Sequence, residues 1–327
     1  MQVVQYRHDD LYEWGSDAKA NFGVVRSAIT LGSYDGVHAG HRKIITRLVK
    51  SAKRVGLRSI LITFEPHPRL VLRKEGTPLL KLLTTFDEKR SLLAPLGLDV
   101  LVVIEFTKEF AKTSAETFVK DILVKKLGLA DIVIGYDHGF GKDRQGTIET
   151  LQALSKVYGF GIEITEEQLM DGKHLSSTAV RQLLEDGLIE EANHFLQTPY
   201  CLTGNVIKGD RLGHQIGFPT ANLEIQSPHK LIPKSGVYVA DVLIDGVCYR
   251  SMMNIGYRPT VNDDHQLSIE AHILKFDGDL YGRQLRFAML SRIRDEKKFS
   301  NIDALKAQLE RDKQIAGAYV QEFTCIR

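Results

Sequence analysis

The ten residues Gly32-Ser33-Tyr34-Asp35-Gly36-Val37-His38-Ala39-Gly40-His41 constrain the fold more than any other stretch of the chain. They follow an apolar run, Ala28-Ile29-Thr30-Leu31, and lead into Arg42–Val49, where apolar residues recur at helical spacing. A strand, a glycine-rich turn and a helix start in that order make an anion site. Gly32, Gly36 and Gly40 let backbone approach a ligand, and the free N–H groups of the first helical turn point at it. His38 and His41 add side-chain donors three residues apart, on one helix face. The arrangement suits nucleotide phosphates and differs from a Walker loop, which needs Gly-Lys followed by Ser or Thr. Two plainer readings compete with it: a His-x-x-His metal pair, which needs further ligands, and ordinary turn glycines.

At 327 residues the chain is long enough for two domains. Its 43 basic and 41 acidic residues give a formal net charge of +2, which argues for neither a nucleic-acid nor a membrane surface. Cys201, Cys248 and Cys325 are odd in number and lack a Cys-x-x-Cys spacing. That usage predicts a reduced intracellular chain without disulfides or structural zinc. No apolar stretch approaches the ~20 residues that span a bilayer. The first residues include Arg7, His8, Asp9, Asp10 and Glu13, unlike a signal peptide, so the expected location is cytoplasmic.

Short apolar runs alternate with helical patterns through the first half. Strands are expected at Ala28–Leu31, Ser59–Phe64, Val100–Phe106, Asp131–Tyr136 and Gly161–Thr165. Helices are expected around Arg42–Arg54, Asp87–Pro95, Ala115–Leu127 and Thr147–Tyr158. This alternation predicts an α/β domain with a parallel sheet covered on both faces. Ligands of such sheets sit at the carboxyl ends of strands, where the turn at 32–36 falls. Two further helices are expected over 178–185 and 188–197, the second ended by Thr198-Pro199. From Tyr200 the texture changes to runs rich in Val, Ile, Tyr and Thr: Val237–Ile244, Val247–Ile255, Leu267–Phe276 and Arg286–Leu290. Asp245-Gly246 and Asp277-Gly278 between such runs read as hairpin turns. A small antiparallel β-barrel is the expected second domain, with a last helix capped by Asn301 whose Leu305–Leu309 stripe reads as core. The boundary between the domains is expected between residues 186 and 187.

Three more stretches of the first half carry chemistry. Thr63-Phe64-Glu65-Pro66-His67-Pro68 closes the second strand, so it too lies at a carboxyl end; His67 reads either as facing a cleft or as a structural loop histidine. Gly135-Tyr136-Asp137-His138-Gly139-Phe140-Gly141 follows another strand end. Phe140 there offers a flat apolar face for a ring, against the alternative of an ordinary glycine-rich loop. Ser176-Ser177-Thr178-Ala179-Val180-Arg181 places hydroxyls and N–H groups at a helix start. Capping alone explains the hydroxyls, while Arg181 one turn later argues for a second phosphate clamp. No Ser-His-Asp or Cys-His set is suggested. Two phosphate cradles fit a direct in-line displacement at phosphorus, where a protein works by positioning and by stabilising charge.

In the second half, Gly209, Gly213 and Gly217 recur every four residues ahead of Phe218-Pro219-Thr220-Ala221-Asn222-Leu223. Such a loop lets backbone donors wrap phosphates. Pro219 stiffens the chain, so Thr220 and Asn222 are presented on one side of an extended segment. A hydroxyl and an amide carbonyl are oxygen ligands suited to magnesium; a glycine-rich β turn with a bonded Asn is the plainer alternative. Period-two alternation puts Glu270, His272 and Leu274 on one face, and a carboxylate there can accept the proton of an attacking hydroxyl. A solvated strand residue is the alternative for Glu270.

The Gly-x-x-Asp-Gly-x-His-x-Gly-His turn, the Thr-Phe-Glu-Pro-His-Pro strand end and the Ser-Ser-Thr-x-x-Arg helix start resemble the adenylyltransferase module of prokaryotic bifunctional FAD synthetases, over about 1–186. Gly-Phe-Pro-Thr-Ala-Asn-Leu, Met253-Asn254-Ile255-Gly256-Tyr257-Arg258-Pro259-Thr260, Glu270-Ala271-His272 and Phe276–Gly282 resemble the riboflavin kinase module, over about 200–327. The resemblance implies a bifunctional enzyme with domains at 1–186 and 187–327: a Rossmann-like nucleotidyltransferase and a β-barrel kinase. It implies that riboflavin is phosphorylated by ATP to FMN, and that FMN is adenylylated to FAD with release of pyrophosphate. His38 and His41 would contact ATP phosphates, as would the turn glycines; Ser177, Thr178 and Arg181 would hold the pyrophosphate end. Asp137 and Phe140, with Phe64 and His67, would belong to the nucleotide and FMN pocket. Thr220 and Asn222 would meet Mg2+ and the phosphates of the second ATP, Gly209 and Gly213 would wrap it, and Asn254 and Arg258 would contact riboflavin. Glu270 would be the base toward the ribityl 5′-hydroxyl. The sequence departs from the family at Ser33-Tyr34, at Gly139 and at His214, where an arginine is common. The expected partners are riboflavin, FMN and ATP, with no nucleic acid and no membrane, in a monomer or weak homo-oligomer. Two narrower readings stand beside this one: a chain with one active domain, and a flavin-binding regulator without turnover.

Overall fold

The computed structural model describes residues 1–136, 139–142, 145–166, 169–170, 172–209, 213, 216–259 and 265–320. Its contacts divide the chain into two compact units, Met1–Ser176 and Ser177–Arg327. This division falls ten residues ahead of the boundary read from the sequence, because the helix after Ser176 packs with the second unit.

The first unit is built on β1 (Gln2–Arg7), β2 (Asp10–Glu13), β3 (Ser27–Leu31), β4 (Arg58–Glu65), β5 (Val100–Glu105), β6 (Leu129–Gly135) and β7 (Gly161–Thr165). They form one sheet in the order β2-β1-β5-β4-β3-β6-β7, parallel throughout except for the antiparallel edge strand β2. Both faces are covered, which is why the central runs read as continuously apolar. Ile29, Leu31, Ile60, Ile62, Val102 and Ile104 face one apolar layer, while Ala28, Leu61, Leu101 and Val103 face the other. Helix α1 (Ala39–Val55) buries Ile45, Leu48, Val49 and Ala52 in that second layer and ends at Gly56 in the left-handed conformation. Also in this unit are α2 (Pro68–Val71), α3 (Phe86–Leu93), α4 (Ala115–Thr117), which continues as a π-helical stretch Phe118–Val124, and α5 (Ile148–Tyr158). A short strand pair, β8 (Leu169–Met170) and β9 (Lys173–His174), completes it. The expected five strands and four helices are all present within a few residues. The β1–β2 hairpin is additional. Its two-residue turn is His8-Asp9, both at positive φ, so it lacks the glycine that announces such turns.

The second unit opens with α6 (Ser177–Asp186) and α7 (Ile189–Leu196). Six strands follow: β10 (Tyr200–Ile207), β11 (Ala221–Glu224), β12 (Gly236–Ile244), β13 (Val247–Pro259), β14 (His265–Ile273) and β15 (Gln284–Arg294). They close into a barrel in the order β10-β11-β14-β13-β12-β15, antiparallel at every pairing. Asp245-Gly246 is the expected two-residue hairpin turn, with φ +50 and +83 between the partners Ile244 and Val247. Asp277-Gly278 is not a hairpin turn: β14 ends at Ile273 and pairs with β11 and β13, while β15 pairs with β10 and β12. Closing a barrel requires the chain to cross to another edge there, which an Asp-Gly pair alone does not signal.

The last helix, α8 (Ile302–Ala318), is capped by Asn301 as expected, Oδ1 accepting from the Ala304 N–H at 2.8 Å. Leu305 and Leu309 are only half-buried. The residues it buries fully are Ala316 and Asp312. Asp312 accepts two bonds from Arg294 Nε at 3.1 and 3.0 Å, one from Arg294 Nη2 at 2.7 Å and one from Gln308 at 2.9 Å. Arg250 joins Asp241 at 2.6 Å to the carbonyls of Ala316 and Tyr319 at 2.8 and 2.9 Å. Cys201 is free and buried, but Cys248 is disulfide-bonded. This corrects the expectation of a chain without disulfides, which rested on spacing; pairing depends on distances that spacing does not fix.

Candidate functional site

The turn at the carboxyl end of β3 is strained. Gly36 has φ +84, and Tyr34 and Val37 share that left-handed region at +48 and +46. For a β-branched valine this is a costly backbone that only its surroundings can hold. Asp35 supplies the hold. Buried at 2% exposure, its carboxylate accepts from the N–H groups of Leu83 at 3.1 Å and Thr84 at 3.0 Å, and from the Thr84 hydroxyl at 3.2 Å. The Thr84 hydroxyl in turn accepts from the Gly36 N–H at 3.2 Å.

His38 is the N-cap of α1, its Nδ1 accepting from the His41 N–H at 3.4 Å. With Nδ1 accepting, a proton on this ring sits on Nε2. The His38 and His41 rings stack with centroids 3.7 Å apart, and Tyr34 lies 4.9 Å from His41. His41 Nδ1 is enclosed and has no protein partner among the described residues. Burial, with help from His38 and Lys89, holds the His41 imidazole well below its ordinary pKa, so the ring is neutral. Burial also pushes the Tyr34 hydroxyl up; it bonds Thr30 at 2.6 Å. The two histidines, Gly32, Gly36 and Gly40 are thus one structure, as the sequence predicts.

Beneath the turn lies Lys89, which the sequence reading passes over. It is 4% exposed, and its Nζ donates to the Ser33 carbonyl at 2.9 Å and the Thr63 hydroxyl at 3.3 Å. Burial lowers its pKa, with Asp35 and Glu65 acting in the opposite sense. Glu65 is raised by burial and by Asp35 while Lys89 opposes this. A signal for Lys89 exists: it stands at i+3 between Phe86 and Leu93 on the apolar stripe of α3.

The other expected residues of this half have mixed placements. His67 is buried and caps α2, its Nδ1 accepting from the Arg69 N–H at 3.1 Å, the structural role weighed for it. Phe64 is half-buried among Phe106 and Phe110, and Phe140 is buried against Phe118, at 5.7 Å between centroids. Asp137 lies outside the described residues. Ser177 and Thr178 open α6 with Arg181 one turn on, in the second compact unit.

In the barrel, cross-strand register builds the site. Asn222 of β11 and Asn254 of β13 both pair with Glu270 of β14, so the three stand in a row across neighbouring strands. Both oxygens of Glu270 accept from hydroxyls, Oε2 from Thr220 and Oε1 from Ser268, each at 3.1 Å. Ser268 is a second residue the sequence reading missed; period-two spacing places it on the Glu270 face. Gly209 packs so close to Asn222 that a Cβ there would stand 2.3 Å from its amide. One on Gly213 would come within 3.4 Å of the Thr220 hydroxyl. Asn254 donates to Glu296 at 3.5 Å. His272 holds the Pro219 carbonyl at 2.8 Å through Nδ1, and burial lowers its pKa. His214 and the Arg258 side chain lie outside the described residues.

No helix among the described residues is long and apolar enough to cross a membrane. The FAD synthetase family profile matches residues 24–179 and the riboflavin kinase profile matches 196–320. The chain is 37% identical, over 90% of its own length and 93% of the relative's, to the bifunctional riboflavin kinase/FMN adenylyltransferase of Listeria monocytogenes. With the protein of the same name from Escherichia coli it shares 37% identity, covering 88% of this chain and 91% of the other. Among solved structures it resembles one titled a macrolide-efflux protein from Streptococcus pneumoniae, with a TM-score of 0.86, 28% identity, and 98% and 100% of the two chains covered. A parallel-sheet unit with a histidine turn, joined to a six-stranded barrel with a hydroxyl-held carboxylate, fits both profiles in order; this chain belongs to the bifunctional riboflavin kinase/FMN adenylyltransferase family.

Proposed function

We propose that this chain makes FAD in two ATP-dependent steps. The barrel, within residues 187–327, transfers the γ-phosphoryl group of ATP to the ribityl 5′-hydroxyl of riboflavin, giving FMN. The parallel-sheet domain, within residues 1–186, joins FMN to the AMP part of a second ATP and releases pyrophosphate. The observation that carries this reading is the row Asn222–Glu270–Asn254 with both carboxylate oxygens held by hydroxyls. Binding flavin or nucleotide does not require an oriented base; moving a hydroxyl proton does.

In the kinase step Glu270 accepts the 5′-hydroxyl proton as the oxygen attacks the γ-phosphorus and ADP leaves. Thr220 and Ser268 fix the rotation of the carboxylate. Mg2+ enters as part of the ATP substrate. The Thr220 hydroxyl and Asn222 carbonyl are hard oxygen donors of the kind that hold it beside phosphate and water, and the backbone at Gly209 and Gly213, which lies against Asn222 and Phe218, is assigned to the phosphates. Asn254 and Arg258 are assigned to riboflavin. In the adenylyl step an FMN phosphate oxygen attacks the α-phosphorus of ATP in line, with pyrophosphate leaving. His38 and His41 stabilise charge on the ATP phosphates, aided by the backbone of Gly32, Gly36 and Gly40. Ser177, Thr178 and Arg181 take the pyrophosphate end; Asp137, Phe64, His67 and Phe140 belong to the nucleotide and FMN pocket. The reading places the protein in the cytoplasm as a monomer or weak homo-oligomer.

Chromatography of the products from riboflavin, MgCl2 and ATP tests both sites together. FMN followed by FAD is expected. Untouched riboflavin overturns the kinase assignment, and FMN without FAD overturns the adenylyltransferase assignment.

A further inference from the structure

Lys89 is a lysine in a place where lysine is costly. It is 4% exposed on the inner face of α3, and burying an ammonium ion is expensive unless its surroundings repay the lost hydration. Its two hydrogen bonds go to neutral groups, and both belong to the turn or its neighbour strand: the Ser33 carbonyl and the Thr63 hydroxyl. The same Thr63 hydroxyl donates to the Ser33 carbonyl at 3.1 Å. One ammonium thereby ties the start of the strained turn to β4. The charged and titratable groups around it come from three elements: Asp35 in the turn, Glu65 at the end of β4, and His41 on α1. His41 is neutral. Without Lys89, the carboxylates of Asp35 and Glu65 would lose the cation that acts on both, and their field would oppose a triphosphate at the turn.

We propose that Lys89 is a positioning residue of the adenylyl-transfer site, which clamps the glycine turn through the Ser33 carbonyl and offsets the negative field of Asp35 and Glu65 for the incoming ATP. The inference rests on the reading of the 32–41 turn as a triphosphate site. It assigns Lys89 to the binding of ATP, not of FMN, because its hydrogen bonds and its charge both act on the turn.

The test uses the full chain, assayed for FMN adenylylation and riboflavin phosphorylation. Lys89→Met keeps the apolar length of the side chain without its charge; Lys89→Gln keeps a hydrogen-bond donor; Lys89→Arg keeps the charge. The Met and Gln variants should raise KM for ATP in adenylylation by about tenfold or more, leave KM for FMN within twofold, and leave riboflavin phosphorylation unchanged. The Arg variant should recover most of the loss. A Met variant that does not fold, shown by a lost thermal transition of the first unit, passes the test to the Gln and Arg pair. KM for ATP within twofold of the parent in a folded Gln variant overturns the proposal, as does an equal rise of KM for ATP and FMN. His41→Ala assayed in parallel separates the two inferences: if it too leaves adenylylation intact, the triphosphate reading of the turn has failed; if it alone is impaired, only the role of Lys89 has.

Discussion

The turn at 32–41 and the row Asn222–Glu270–Asn254 hold phosphate chemistry in different ways. In the parallel sheet, the histidines and glycines come from one continuous loop whose backbone is bent into left-handed conformations and pinned from outside by Leu83 and Thr84, through Asp35, and by Lys89. In the barrel, the functional groups come from three separate segments that ladder pairing brings side by side, with extended backbone at Asn222, Asn254 and Glu270. The first site is a local device maintained by distant residues. The second is a distant assembly maintained by regular secondary structure. Damage should therefore spread differently: in the turn through the pins, in the barrel through strand register.

The sharpest way to break this division is Glu270→Ala. Loss of a positioned base should lower riboflavin phosphorylation by about 10²–10⁴-fold and leave FAD formation from supplied FMN intact, as product chromatography with each flavin alone will show. Equal loss of both activities in a folded protein would refute two separate sites. Asp312→Ala probes the framework of the barrel. Removing one partner of a buried ion pair costs about 3–5 kcal/mol, so urea unfolding followed through kinase activity should shift to clearly lower concentration, with adenylylation of FMN retained. His41→Ala should lower adenylylation by about 10²-fold and spare the kinase, the mirror image of the Glu270 result. Ser268→Ala should reduce kcat for phosphorylation by about tenfold, the size of one hydrogen bond to a charged group, without raising KM for ATP. Ser268→Thr should restore it, and a Thr variant as poor as Ala would count against an orienting hydroxyl.

The smallest effect concerns pH. His41 is neutral in the fold and its pKa is lowered, whereas the unfolded chain takes up that proton near about pH 6.5. The unfolded state then binds more protons, so stability is full above that pH and declines as pH falls below it. Melting of the first unit should drop between pH 7 and lower values, and His41→Phe should flatten the drop. Parallel curves for the two proteins would contradict the assignment. His272 is lowered in the same direction, so the barrel should show a decline of the same sign.

Most of the architecture was readable beforehand because it follows from periodicity. Runs such as Ser59–Phe64 and Val100–Phe106 are short, rich in β-branched residues and poor in polar positions, as strands covered on both faces are, and Asp245-Gly246 carries its turn type in its residues. What escaped depends on contacts remote in sequence. The His8-Asp9 turn has no glycine, and β1 is defined by its parallel register with β5, nearly a hundred positions away. Closure of the barrel through β10 and β15 leaves no local mark. At the sites, residues within motifs were legible, while their supports were not. Asp35 was seen as a letter of the turn, but its role comes from Leu83 and Thr84. His67 shows the reverse, a motif residue whose ring nitrogen the fold spends on capping α2.

The bonds from Arg250 to the carbonyls of Ala316 and Tyr319 bear on how the molecule is made. Every strand of the seven-stranded sheet has left the ribosome by the time Thr165 emerges, so that layer can assemble while the remainder is still being translated. The guanidinium on β13 must wait for some seventy further residues before its last acceptors arrive. Biosynthesis thus delivers the adenylylating half early and the phosphorylating half late, in the opposite sequence to their use.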